Sequence, residues 1–214
     1  MDAPLSERLS TFADDVRRLS PPFADIVDRM LKRLYDSGAG DGAPNIGEPM
    51  PNFVLPDETG HLVSLEELLQ KGQVVVSFNR GHWCPYCRLN ADAMAHVEKK
   101  VKDAGGQFVL ITPETAKFNK TLKQDARALF PILTDLDSGY ALELQLAIQI
   151  NDEKRIAMTA AGWDISKYQD NENWTLPIPA TFVVGKDGRV KARFVDPDYR
   201  KRMQISDLIA AVES

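Results

Sequence analysis

Two cysteines and three histidines in 214 residues are a sparse supply of reactive side chains. So few thiols exclude a secreted scaffold held by several disulfides. Positive charge is also in deficit: 26 Lys and Arg stand against 31 Asp and Glu, a net charge of −5. No basic field exists to attract nucleic acid or an anionic lipid surface. Long hydrophobic runs are missing too, and nothing approaches the roughly 18 apolar residues of a membrane-crossing helix. The start, Met1-Asp2-Ala3-Pro4-Leu5-Ser6-Glu7-Arg8, leads into no apolar stretch of the kind a secretory signal needs. The expectation is a soluble, cytoplasmic protein without nucleic-acid or membrane partners. What is present, 43% hydrophobic and 27% charged residues, is ordinary for a packed globular domain.

Leu5, Leu9, Phe12, Val16 and Leu19 make an amphipathic helical stripe. Ser20-Pro21-Pro22 stops it, and Phe23, Ile26, Val27, Met30, Leu31 and Leu34 make a second stripe before the Gly-rich segment 37–42. Residues 1–37 are therefore expected to form a helical hairpin, which either packs on the main domain or mediates a homodimer. The main domain should run over 46–214. Within it, segments 52–55 and 61–63 suggest a small hairpin, and Val74-Val75-Val76-Ser77-Phe78 is apolar enough for a strand buried on both faces. A helix from about Cys84 to Gly105 and a second buried strand, Phe108-Val109-Leu110-Ile111, complete a parallel βαβ unit. Residues 114–128 suit a helix and 131–133 a short strand. No firm structure is assigned to 147–174. Ala180-Thr181-Phe182-Val183-Val184, the Asp187-Gly188 turn and the alternating run from Val190 to Phe194 read as an antiparallel pair, with a closing helix through Ile205, Leu208, Ile209 and Val212.

Both cysteines fall in Cys84-Pro85-Tyr86-Cys87, between the first buried strand and its helix. At a helix N-terminus, unpaired backbone N–H groups and the macrodipole favour a thiolate, so Cys84 is expected to ionise readily. Pro85 suits the first helical position. Cys87 lies on the same side of the first turn, within plausible reach for a disulfide, and is the expected resolving thiol. A zinc site from Cys84, Cys87, His82 and His96 would need awkward local geometry, and inert burial sits poorly with a proline between two cysteines. Redox chemistry is the leading reading, with no cofactor and no metal.

The segment Arg80-Gly81-His82-Trp83-Cys84-Pro85-Tyr86-Cys87 resembles the active-site segment of the peroxiredoxin-like branch of the alkyl hydroperoxide reductase and thiol-specific antioxidant (AhpC/TSA) family, in the thioredoxin superfamily. Gly47-Glu48-Pro49-Met50-Pro51-Asn52-Phe53, the run from Trp174 to Val184 and Val195-Asp196-Pro197-Asp198-Tyr199 are similar to its other signatures. The resemblance implies an α/β, thioredoxin-like fold: a central mixed sheet flanked by helices, with Pro179 facing the cysteines behind a cis Ile178–Pro179 bond, the alternative being an ordinary trans proline at a strand start. It further implies a thiol-based antioxidant enzyme. Cys84 would attack a hydroperoxide, Cys87 would close a disulfide, and thioredoxin-like or glutathione reductants would restore the thiols. The alternative is a thiol-disulfide oxidoreductase acting on protein or glutathione disulfides.

Two departures from the family pattern bear on mechanism. The Thr or Ser that typically stands three residues before the reactive cysteine is Gly81, and the position of the distant peroxide-orienting Arg matches Pro179 most nearly. Arg80, His82, Trp83, Pro179 and Thr181 are the supporting candidates. Arg80 either partly substitutes for the missing donors or is a solvated strand-end charge. His82 is either a proton acceptor near Cys84 or a simple loop residue, and Trp83 either a lid over the disulfide or a core aromatic. Tyr86 is read as a surface residue or a recognition residue. Asp196, Asp198, Tyr199 and Arg200 are expected to form salt bridges or a turn.

Overall fold

The computed structural model describes residues 3–214, so the first two residues of the expected hairpin lie outside it. Its centre is a five-stranded sheet in the order β5-β4-β3-β8-β9. Strands β3 (Gln73–Phe78), β4 (Gly106–Thr112) and β5 (Ile132–Thr134) are parallel, while β8 (Ala180–Val184) runs antiparallel to β3 and β9 (Val190–Val195) antiparallel to β8. The sheet is thus mixed. Period-two alternation divides its side chains between two cores. Val74, Val76 and Phe78 with Val109 and Ile111 enter one; Val75 with Phe108 and Leu110 enters the other. Ala91, Met94 and Val101 of α4 (Pro85–Asp103) and Leu208 and Val212 of α9 (Ile205–Glu213) fill the second core. Because both faces are covered, β3 needs the continuous apolar run that its sequence shows.

The antiparallel pair β1 (Val54–Pro56) and β2 (Leu62–Ser64) forms where a hairpin was expected, followed by α3 (Leu65–Lys71), which Ser64 caps by accepting from the Glu67 N–H. Helix α5 (Ala116–Ala126) precedes β5, and α6 (Gly139–Glu143) follows it. The stretch left without structure is ordered. It holds β6 (Ala147–Gln149), α7 (Asp152–Ala160) and α8 (Ile165–Gln169) before β7 (Thr175–Pro177), and β6 pairs antiparallel with β7. Its strands have three residues and its helices five to nine, too short to register as a period in a polar sequence.

Helices α1 (Leu5–Leu19) and α2 (Pro21–Asp36) meet at Ser20, with Pro21 at the first position of α2, where its missing N–H costs nothing. Arg8 pairs with Asp92 of α4 at 2.8 Å, and Asp28 with Arg200 at 3.2 Å. Phe12 meets Tyr86 edge-on with centroids 5.1 Å apart, and Phe23 meets Trp163 at 5.7 Å. The two helices therefore lie over the N-terminus of α4, where the cysteines are.

Candidate active site

The turn from β3 into α4 places the pair. Cys84 is the N-cap of α4 in extended conformation, Pro85 opens the helix, and both thiols are free and buried. Donors converge on Cys87 rather than on Cys84. The Arg80 backbone N–H donates to Cys87 Sγ at 3.2 Å, and Arg202, which precedes α9, donates a guanidinium N–H to it at 3.3 Å. Burial works against a thiolate at Cys87, but the hydrogen bond from the Cys84 thiol, the Arg202 charge and the Arg80 N–H outweigh it and bring Cys87 down to about 6. Burial, with the hydrogen bond to Cys87, pushes the Cys84 thiol well up. This corrects the expectation that Cys84 is the better ionised thiol. The helix N-terminus favours both sulfurs, and the Arg80 N–H and the Arg202 guanidinium decide between them.

Access has the opposite preference. A cavity of about 320 Å³ opens beside Cys84, lined by side chains of α1 and α2 and by Trp83, Met158 and Trp163. Cys84 lines this cavity and Cys87 does not.

Arg80 is 2% exposed and thus no solvated strand-end charge. Its Nε donates to the Pro177 carbonyl at 3.3 Å, its guanidinium lies 4.1 Å from the Tyr199 ring centroid, and its Nη2 has no hydrogen-bond partner. Tyr86 is buried between Phe12 and Tyr199, correcting its reading as a surface residue. Trp83 is half-buried with its ring centroid 5.7 Å from that of Trp163. His82 is held by Glu114: its N–H donates to Oε2 at 2.7 Å and its Nδ1 lies 2.7 Å from Oε1, while its ring stacks on Phe118 at 4.8 Å. Burial raises the Glu114 carboxyl, and the His82 contacts act against the rise.

Glu114 also accounts for Gly81. That residue has φ +130°, and a Cβ there would stand 2.3–2.6 Å from the Glu114 carboxylate, so a hydroxyl-bearing side chain would have to displace Glu114 from His82. The expected cis bond at Pro179 is corrected as well. No cis peptide occurs among the described residues, and Pro179 is buried at the entry to β8, where a strand-start proline fits without isomerising. Thr181 lies inside the sheet, its hydroxyl 3.3 Å from that of Ser77, to which Asn79 and Asn90 also donate. Asp198 and Arg200 pair at 2.8 Å, and Lys201 pairs with Asp196 at 2.9 Å, the salt-bridged turn that was expected.

Tyr199, expected in the salt-bridged turn, is instead buried against Arg80, and three residues around the pair escaped sequence reasoning: Arg202, Glu114 and Lys154. Arg202 is 115 positions from the cysteine it serves. Lys154 reads as surface within Asp152-Glu153-Lys154-Arg155, yet it is 2% exposed. The one signal for it is the α7 stripe Lys154–Met158, four residues apart, which turns inward together.

Residues 46–193 match the AhpC/TSA family. The thiol-disulfide oxidoreductase ResA of Bacillus subtilis (strain 168) is 27% identical over 153 residues, covering 71% of this chain and 68% of its own. A chloroplastic peroxiredoxin Q of Oryza sativa subsp. japonica is 34% identical over 95 residues, 44% of this chain and 43% of its own. In fold, the crystal structure of peroxidoxin BcpB from Mycobacterium tuberculosis superposes with a TM-score of 0.62 at 19% identity, covering 79% of this chain and 96% of that one.

Proposed function

Because the chain belongs to the AhpC/TSA family, we propose that it is an oxidoreductase whose Cys84–Cys87 pair reduces hydroperoxides. The observation that carries this reading is the burial of Cys84, 1% exposed at the wall of a 320 Å³ cavity beneath α1 and α2. A small hydroperoxide fits such a space, whereas a disulfide on the surface of a folded protein does not reach a sulfur so covered.

The pair holds one proton between its sulfurs near neutral pH. As the peroxide approaches, the Cys84 proton passes to the Cys87 thiolate, and the Cys84 thiolate attacks the terminal peroxide oxygen. The O–O bond breaks, Cys84 becomes a sulfenic acid, and the departing oxygen leaves as an alcohol or water once it gains a proton. Cys87 then attacks the Cys84 sulfur, water departs, and the disulfide closes. A thiol small enough to enter the cavity, such as glutathione, restores both thiols by exchange. The Cys87 thiolate acts first as proton acceptor and then as resolving nucleophile, which reconciles its better ionisation with the better access of Cys84.

A second reading, thiol-disulfide exchange, is favoured by Cys-Pro-Tyr-Cys and by the likeness to ResA. Trapping separates the two. In Cys87→Ser, a sulfenic acid at Cys84 after one equivalent of peroxide, labelled by dimedone and located by mass spectrometry, supports peroxide reduction. A label-free protein that forms a stable mixed disulfide with a model disulfide supports exchange.

A further inference from the structure

This inference rests on the peroxide-reducing reading and supplies what that reading leaves open: the proton for the departing oxygen. The family's usual donor three residues before the reactive cysteine is absent, since Gly81 has no hydroxyl and the Glu114 carboxylate occupies the space beside it. Alkoxide and hydroxide are strongly basic anions and depart slowly unless a positioned acid protonates them as the O–O bond breaks.

Lys154 is an acid that shares the cavity with Cys84. Its side chain lines the same cavity as Cys84, and α7 holds it there with Met158. It is 2% exposed, and its Nζ has no hydrogen-bond partner among the described residues. Among the described residues no carboxylate pairs with it. Its stabilisation comes from the face of Phe23, whose centroid lies 3.6 Å from Nζ, and more weakly from Tyr199 at 5.8 Å. A buried, unpaired ammonium is costly to keep, and a chain gains stability by replacing it with an apolar residue unless the group serves a purpose. Burial first, and then the Arg80 guanidinium, bring this ammonium down to about 7, while the Cys84 sulfur acts in the opposite direction. An acid in that range gives up its proton readily near neutral pH and is refilled from solvent.

We propose that Lys154 is the catalytic proton donor to the oxygen that leaves when Cys84 attacks a hydroperoxide. The step balances as follows. The Cys84 thiolate sulfur bonds to the terminal peroxide oxygen, the O–O electron pair goes to the other oxygen, and that oxygen takes a proton from Lys154 Nζ. The products are the Cys84 sulfenic acid, an alcohol or water, and a neutral amine that regains its proton from solvent.

The test uses the full reduced chain with Lys154→Met and, as a second variant, Lys154→Gln, following tryptophan fluorescence by stopped flow. Two probes are compared: tert-butyl hydroperoxide, whose alkoxide needs a proton, and peracetic acid, whose carboxylate does not. The expected result is a loss of roughly 100-fold or more with tert-butyl hydroperoxide, against a change of about threefold or less with peracetic acid. An equal loss with both probes assigns Lys154 a structural role only and overturns the proposal, as does no loss with either. Failure of the underlying reading looks different: the wild-type chain itself then reacts with both probes no faster than a free thiol.

Discussion

Replacing Arg202 tests the origin of the thiolate. Its guanidinium donates to Cys87 Sγ at 3.3 Å in a buried setting, and Cys87 stands at about 6. A hydrogen bond from a charged donor is worth about 1.5–3 kcal/mol, and 1.36 kcal/mol corresponds to one pKa unit. Arg202→Met should therefore raise the first ionisation of the pair by roughly one to two units, to about 7–8. The sign follows from which form the guanidinium favours: it stabilises the thiolate, so without it more alkaline pH is needed to remove the proton. At pH 7 the thiolate share should fall. Ultraviolet thiolate absorbance, titrated from acid to neutral pH, reads this midpoint, and the pH profile of iodoacetamide alkylation provides an independent reading. Cys87→Ser should abolish the low midpoint. A midpoint that stays near 6 in Arg202→Met refutes the assignment of the thiolate to the Arg202 contact, and one that survives Cys87→Ser refutes its assignment to Cys87.

Gly81→Ala combines a disfavoured backbone angle with a Cβ driven into the Glu114 carboxylate; urea denaturation should show a loss of roughly 2–4 kcal/mol, and an unchanged midpoint contradicts the steric account. Glu114→Ala leaves the His82 N–H and ring nitrogen without their acceptor, which should cost about 1–3 kcal/mol and free the His82 ring from its stack on Phe118, visible as altered histidine chemical shifts. Thr181→Val removes the contact to Ser77 inside the sheet, and the same denaturation should record a loss of about 1 kcal/mol.

The central strands and the helix carrying the cysteines were legible because each answers to a local rule. Continuous apolar runs mark strands covered on both faces, and Asp187-Gly188 marks the turn between β8 and β9. The cysteine pair was legible for the same reason, since a strand, a proline and a helix start are all written within a few residues of it. What decides between the sulfurs was not. Arg202 reaches Cys87 only through the folding of the chain, and no spacing announces it. Lys154 was hidden by its own neighbours: among four consecutive charged residues, a single buried one is chosen by how α7 meets α2. The same tertiary choice turned Tyr86 inward against Phe12 and Tyr199 and ordered the segment that periodicity left blank.

The central claim is that the Cys84–Cys87 pair is built to reduce a peroxide reached through the cavity under α1 and α2. Its most direct test is the second-order rate of the reduced chain with a hydroperoxide, measured by stopped flow beside its rate with a model disulfide. The account predicts a peroxide rate orders of magnitude above that of a free thiol at the same pH, ending in a Cys84–Cys87 disulfide, with slow reaction toward the disulfide. A peroxide rate no greater than a free thiol's, alongside rapid disulfide exchange, would contradict it.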